Sequence, residues 1–295
     1  MNRIINFHAV RNMDWFERVI ILLKTKYHMI SAADIISFYA GEKALKNSCL
    51  ITVDDGDATS YDIIYPVLKK HNVPALFFVS PLIAKREEAT NFWFQEIRNC
   101  DENWCRKYAQ AHFTYLEERQ KAGNDNFFSM LAIDDIWEMI HRCKEENHLE
   151  YLTPQNMTVA QIQRIDREGL VAIGAHTMWH PFLAAVSDER SRWEIEESVS
   201  ELSKMLGHQV ELFAYPNGRP EFDFGEREMD TLTKLGCKVS FSTHPRGFRQ
   251  KDNPLAIPRF GLTYGSMKFV RMKLLLGNYY SLLRSLYLHV KNIIK

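Results

Sequence analysis

Leu50-Ile51-Thr52-Val53-Asp54-Asp55-Gly56 is the stretch on which the reading of this chain turns. Its first four residues have the length and bulk of a buried strand, and the glycine after them frees the backbone to turn. Two adjacent carboxylates at that point make a poor core and a good cavity rim, because a buried charge needs a partner. Successive strand residues face opposite ways, so where the pleat relaxes the two neighbours can reach one cavity with different aims. One then suits a metal and the other a proton. Asp-Gly is also a common turn dipeptide, and taken alone the stretch leaves a surface turn open.

Working outward, apolar runs of the same kind recur at 3–8, 49–53, 75–80, 170–175, 210–214, 238–242 and 255–260, with amphipathic helical stretches between them. That alternation is the pattern of βα units, and it predicts an α/β fold: a distorted or incomplete (β/α) barrel with its site at the C-terminal ends of the strands. A chain of 295 residues with 46% hydrophobic content can bury one large core. Ser31 with Asp34 and Thr158 with Gln161 have the spacing of helix-start capping boxes. Ile195, Val199, Leu202 and Leu206 repeat at helical spacing and predict a packed helix over 193–206.

A second signal ends another strand-like run: Gly174-Ala175 leads into His176-Thr177-Met178-Trp179-His180-Pro181. Two histidines four apart on a helical turn present their rings to one side, as a zinc-type ion accepts them. The flanking Gly169 and Gly174 place them on a rim loop rather than a buried helix face. Catalytic zinc usually takes three protein ligands, and a carboxylate suits the third; Asp55 is the candidate. The third segment, Phe213-Ala214-Tyr215-Pro216-Asn217-Gly218, reads as a rigid turn whose amides can meet a substrate oxygen.

Together these segments resemble the motifs of polysaccharide deacetylases with a NodB-type homology domain, carbohydrate esterase family four. Thr52-Val53-Asp54-Asp55-Gly56 matches that family's Thr-Phe-Asp-Asp-Gly, His176-Thr177-x-x-His180 its His-Ser/Thr-x-x-His, and residues 213–218 its Phe-Ala-Tyr-Pro-Tyr-Gly, in the family's order and across most of 3–262. The resemblance implies Asp54 as general base, Asp55, His176 and His180 as metal ligands, and the Asn217 amide as oxyanion donor. It also implies a divalent cofactor, zinc first, with cobalt or nickel as alternatives. Ile4-Ile5-Asn6-Phe7-His8 stands where some members carry an early histidine, which makes His8 the general acid. The arginine that supports the base in many members is missing beside Phe213, and Arg259, in Ile257-Pro258-Arg259, is the replacement this subgroup suggests. Asp57, Tyr215 and Trp179 are the candidate saccharide contacts. The expected reaction is metal-dependent removal of N-acetyl groups from a poly- or oligosaccharide containing N-acetylhexosamine. The rivals are a carbohydrate-binding pseudoenzyme, an assembly component of a polysaccharide-making system, and an amide hydrolase with a non-sugar substrate.

Residues 81–157 do not fit the βα alternation. They are rich in charge and aromatics and are expected to form a mostly helical insertion on the catalytic side, with most aromatics packing a small core and one left to stack on a sugar. The domain reading is therefore a barrel over 1–262, interrupted by 81–157, followed by a basic amphipathic tail over 263–295. Overall charge is balanced at 37 basic against 37 acidic residues, which gives no case for nucleic acid. From Asn253 to Lys295 there are seven Lys or Arg and no acid, so this tail suits an anionic membrane surface, the open side of the barrel or a dimer contact. Its polar interruptions argue against a spanning helix. Five cysteines without zinc-finger spacing, and no apolar leader at Met1–His8, predict a cytoplasmic protein, with the inner membrane face as a peripheral alternative.

Overall fold

The apolar runs form strands, and among the described residues every pairing between them is parallel. In the computed structural model, which describes residues 1–117 and 127–277, these are β1 (Arg3–Phe7), β2 (His28–Met29), β3 (Ser48–Val53), β4 (Ala75–Val79), β5 (Val171–Ala175), β6 (Leu212–Ala214), β7 (Val239–Phe241) and β8 (Phe260–Gly261). They run in the order β7-β6-β5-β4-β3-β1-β8, with β2 beside the start of β3. Helices Met13–Lys26, Tyr65–Lys70, Val159–Glu168, Asp188–Leu206 and Glu226–Lys234 alternate with the strands and bury apolar faces. The fold is a distorted, incomplete (β/α) barrel. Both expected capping boxes are formed, at Ser31 and Thr158.

Alternation along the strands sorts their side chains into two layers. Ile5, Phe7, Ile51, Val53, Ala75, Phe77, Val79 and Ile173 pack with the helices. Ile4, Leu50, Leu76, Phe78, Leu212, Val239 and Phe241 form a second cluster. Counting on in steps of two from this second set reaches Asn6 and His8 on β1, Thr52 and Asp54 on β3, and Gly174 and His176 on β5. Register supplies the other coordinate: Phe7 pairs with Val53, Val53 with Phe77, Phe77 with Ile173, and Ala175 with Phe213. His8 and Asp54 therefore stand level with Phe78 and Gly174, His176 follows two residues further along β5 beside the turn after Ala214, and all lie on the rim at the strands' C-terminal ends. Gly174 keeps this layer tight, since a methyl there would sit 2.6 Å from the Phe78 ring and 2.9 Å from the Leu212 carbonyl.

Two strand expectations are corrected, and one strand, β2, was not expected. The run at 255–260 contributes only β8 and a single bridge from Ile257 to Phe241, because Pro254 and Pro258 lack the N–H that a ladder needs. β2 is two residues long, too short to leave a pattern. The run at 210–214 pairs only from Leu212.

Between β4 and the helix Val159–Glu168 lie helices Pro81–Lys85, Trp93–Glu96, Glu102–His112 and Ile133–Glu146. Trp93, Phe113, Phe127, Ile136, Met139 and Ile140 share a core of their own there. Near the C-terminus, helix Met267–Leu276 buries Val270 and Leu274 against the main core. The rest of the expected tail, 278–295, lies outside the described residues. Among the described residues no helix is long and apolar enough to cross a membrane.

Candidate active site

Asp54 and Asp55 are neighbours in sequence and opposites in surroundings. Asp54 continues the inner layer of β3 and is 2% exposed. Arg259 grips it with two bonds, Nη1 to Oδ1 at 2.6 Å and Nη2 to Oδ2 at 2.8 Å, and Asn6 Nδ2 donates to Oδ2 at 3.0 Å. The guanidinium is itself buried, lies over the rings of Phe78 and Phe241, and donates to the Ser242 carbonyl. Burial alone would raise the Asp54 pKa, but Arg259, followed by His176 and His8, brings it below the usual carboxylate range. Asp54 is thus an anion held in one orientation. His8, with its side chain 58% exposed, stands with Nε2 4.0 Å from Asp54 Oδ2.

Strand alternation would aim Asp55 away from this layer. A backbone φ of 71° turns it instead, a conformation aspartate tolerates better than most residues. Its Oδ1 comes within 3.4 Å of His176 Nε2 and 3.5 Å of His180 Nε2. The three ligand atoms lie within 4.8 Å of one another. Against the cost of burial, the neighbouring histidines, His176 first and then His8 and His180, hold the Asp55 pKa well below the usual carboxylate range. His176 donates from Nδ1 to the Ala214 carbonyl at 2.7 Å, which leaves the Nε2 lone pair facing Asp55. Burial and the neighbouring His176 push His180 down to about 4, so its ring is neutral.

Asp55 Oδ1 is buried with no hydrogen-bond donor. A charged oxygen left without a partner between two imidazole nitrogens is costly unless a cation completes it, and one carboxylate with two imidazoles is a zinc-type donor set. The residues fit a divalent metal.

The loop carrying the two histidines is not the helical turn that their spacing suggested. Thr177 and His180 both adopt positive φ, 63° and 56°, a strained choice for a β-branched threonine. The Thr177 hydroxyl offsets this by accepting from the His180 N–H at 3.1 Å. Glu194, fully buried on helix Asp188–Leu206, ties down the loop's middle, its Oε2 accepting the N–H groups of Met178 and Trp179 at 2.9 Å each. Burial holds Glu194 up at about 6, against the pull of those amides and of Arg190. On its other side the His180 ring meets Phe92 and Phe94 edge-on, at 5.6 and 5.0 Å, and Trp93 Nε1 donates to the His180 carbonyl.

Asn217 is exposed with φ 58°. Its carbonyl accepts from Thr243 Oγ1 at 2.6 Å, which fixes the turn, and its N–H enters none of the backbone hydrogen bonds among the described residues. Two of the expected saccharide contacts are buried. Tyr215 is fully buried, stacked on Phe224 at 3.6 Å, with its hydroxyl donating to the Leu255 carbonyl; it belongs to the core. Asp57 is 6% exposed, and its Oδ1 accepts from the Thr59 amide and hydroxyl at 2.9 and 2.6 Å, so it closes its own turn. Trp179 is half-buried against Trp137 and lines a cavity of ≈ 1080 Å³. Sequence reasoning missed Asn6, Glu194 and the Phe92–Phe94 clamp. Asn6 alone had a signal, its place in the inward layer of β1.

The profile of the polysaccharide deacetylase family matches residues 41–239, which include Asp54, Asp55, both histidines and the turn at 213–218. Solved structures with a similar fold include the Streptococcus pyogenes deacetylase PplD in complex with acetate, at 17% identity and TM-score 0.59, covering 88% of this chain and 92% of that one. IcaB from Ammonifex degensii aligns at 19% identity and TM-score 0.60, over 88% and 91% of the two chains. The deacetylase domain of BpsB from Bordetella bronchiseptica aligns at 17% and 0.58, over 88% and 95%. A comparison with curated proteins finds no match. The family match spans well over half of the 295 residues, and with it the chain belongs to the polysaccharide deacetylase family.

Proposed function

We propose that this protein is a metal-dependent N-deacetylase acting on a poly- or oligosaccharide that contains N-acetylhexosamine. The observation that carries the proposal is the contrast between the adjacent acids: Asp55 Oδ1 has no donor and faces two imidazole nitrogens, whereas Asp54 is fully engaged and ionised.

Asp55, His176 and His180 would hold the ion, most simply zinc. Such an ion, when bound, polarises an acyl carbonyl and lowers the pKa of a water towards about 7. Asp54 takes a proton from the attacking water; a positioned base of this kind is worth roughly 10²–10⁴-fold. Arg259 and Asn6 keep its carboxylate aimed while it does so. The Asn217 N–H donates to the oxygen on which negative charge grows, a bond worth about 3 kcal/mol in comparable sites. His8 stands on the solvent side of Asp54 and delivers a proton to the departing amine.

Two cavities are candidates for the saccharide. The larger touches the proposed site only through Trp179, with Trp137 and Trp193 in the same wall. A smaller one, ≈ 440 Å³, is lined by His8 itself with Trp15 and Tyr264, and we place the reacting sugar there. Indole and phenol faces suit the apolar faces of pyranose rings. The segment 81–157 lines the larger cavity, through residues such as Arg86, Trp137 and Tyr151, and Thr263 and Tyr264 bring the start of the tail to the smaller one.

The test is acetate release from N-acetylglucosamine oligomers by the purified chain, metal-free and loaded with zinc, cobalt or nickel. Release that requires metal supports the proposal. A metal-loaded chain that binds these oligomers without cleaving them overturns it in favour of a pseudoenzyme.

A further inference from the structure

Three of the five cysteines, scattered in sequence, meet in space. Cys100 follows the short turn Ile97–Asn99, Cys105 lies in helix Glu102–His112 and Cys143 in helix Ile133–Glu146. Their sulfur atoms lie within 4.8 Å of one another. Cys105 and Cys143 are buried, at 0% and 1% exposure, while Cys100 is half-buried and leaves a route from solvent. None of the three is in a disulfide. All three lie in the segment between β4 and β5, and none enters the proposed deacetylation.

We propose that Cys100, Cys105 and Cys143 form a second, structural metal site that takes one zinc-type ion through three thiolates, with water in the fourth position. Tetrahedral zinc–sulfur bonds of about 2.3 Å set the sulfurs roughly 3.8 Å apart, so the trio needs to contract by no more than about 1 Å. Soft thiolates select zinc over magnesium or calcium, and they distinguish this site from the carboxylate and imidazole set at Asp55. Burial, and next the neighbouring thiols, keep Cys100 and Cys105 protonated without the ion, Cys105 at about 12. Loading therefore exchanges protons for metal: three S–H bonds break, three S–metal bonds form, and three protons leave to solvent. The site then carries one net negative charge. The Lys144 ammonium adjoins it, bonded to Asn99 Oδ1 at 3.1 Å and Glu96 at 2.9 Å, and it favours the thiolate of Cys100. The ion would pin together three helical pieces of the segment whose Phe92 and Phe94 clamp His180.

The experiment is cobalt(II) titration of the reduced, metal-free full chain carrying His176→Ala, which disables the proposed catalytic site. The expected result is one cobalt per chain, a near-ultraviolet thiolate-to-cobalt charge-transfer band, and release of about three protons. The band persists with weaker intensity in Cys100→Ser, whose half-buried position tolerates the change, and vanishes in Cys105→Ser/Cys143→Ser. The proposal is overturned if the reduced, folded protein shows no thiolate band while all five thiols titrate on unfolding. A disulfide within the trio in protein purified without reductant, coupled with no cobalt uptake after reduction, overturns it equally.

Discussion

The rim of the sheet and the segment between β4 and β5 solve the same problem, holding polar groups inside a protein, in different ways. At the rim, Asn6, His8, Asp54 and His176 arrive by strand alternation and register, and among the described residues Asp55 Oδ1 and His180 Nδ1 are buried there without a hydrogen-bond partner. In the helical segment, Cys100, Cys105 and Cys143 arrive from three separate elements, and Lys144, next to Cys143 on the same helix, pairs with Glu96 of helix Trp93–Glu96. The difference teaches where chemistry is local in sequence and where only packing creates it. The rim is set by a pleat of period two; the segment is set by helix docking.

The severest way to break the rim is through its buried ion pair. Arg259→Met leaves the Asp54 carboxylate inside the layer with Asn6 as its remaining donor, and the expected loss is about 3–5 kcal/mol of unfolding free energy in urea. A loss below about 1 kcal/mol would mean that Asp54 finds water instead. Glu194→Ala attacks the rim from behind, by freeing the Met178 and Trp179 amides. Metal affinity measured by calorimetry should fall about 10–100-fold, as for other groups that orient metal ligands, while the tryptophan spectrum of the fold persists.

Glu194 also sharpens the comparison through pH. Its folded pKa is raised from 4.5 to about 6. Below pH 4.5 the group is protonated in both states and contributes nothing. As pH rises from 4.5 through 6 the folded state keeps a proton that the unfolded state has released, so stability falls, by about 2 kcal/mol in all. Unfolding free energies between pH 4 and 7 should show this decline in the natural sequence and not in Glu194→Gln; parallel curves would contradict it. The smallest expected effect joins the two regions: Phe94→Ala removes an edge-on contact with His180 and should weaken metal binding by about 0.5–1.5 kcal/mol in the same titration.

These differences follow what could be read beforehand. The runs at 49–53, 75–80 and 170–175 were legible because parallel strands covered on both faces are continuously apolar, and the acids and histidines stood out because they interrupt such runs. Arg259 was found through the resemblance alone, since its partner lies about 200 residues away in sequence. Tyr215 misled, because a Pro-Asn-Gly turn reads as exposed although the strand feeding it carries the ring into the core. Glu194 looks like any surface acid of an amphipathic helix until the histidine loop closes over it. The cysteines gave no spacing signal, since their proximity depends on how two helices dock.

The account's central claim is a division of labour between two adjacent acids, and Asp54→Asn tests it most directly when metal titration and acetate release are measured on one sample. Asp55, His176 and His180 remain in that variant, so the account predicts zinc binding within a few fold of the natural sequence, with acetate release from N-acetylglucosamine oligomers reduced about 10²–10⁴-fold. Retained acetate release, or loss of zinc together with activity in a folded variant, would contradict the division and place the metal or the base elsewhere.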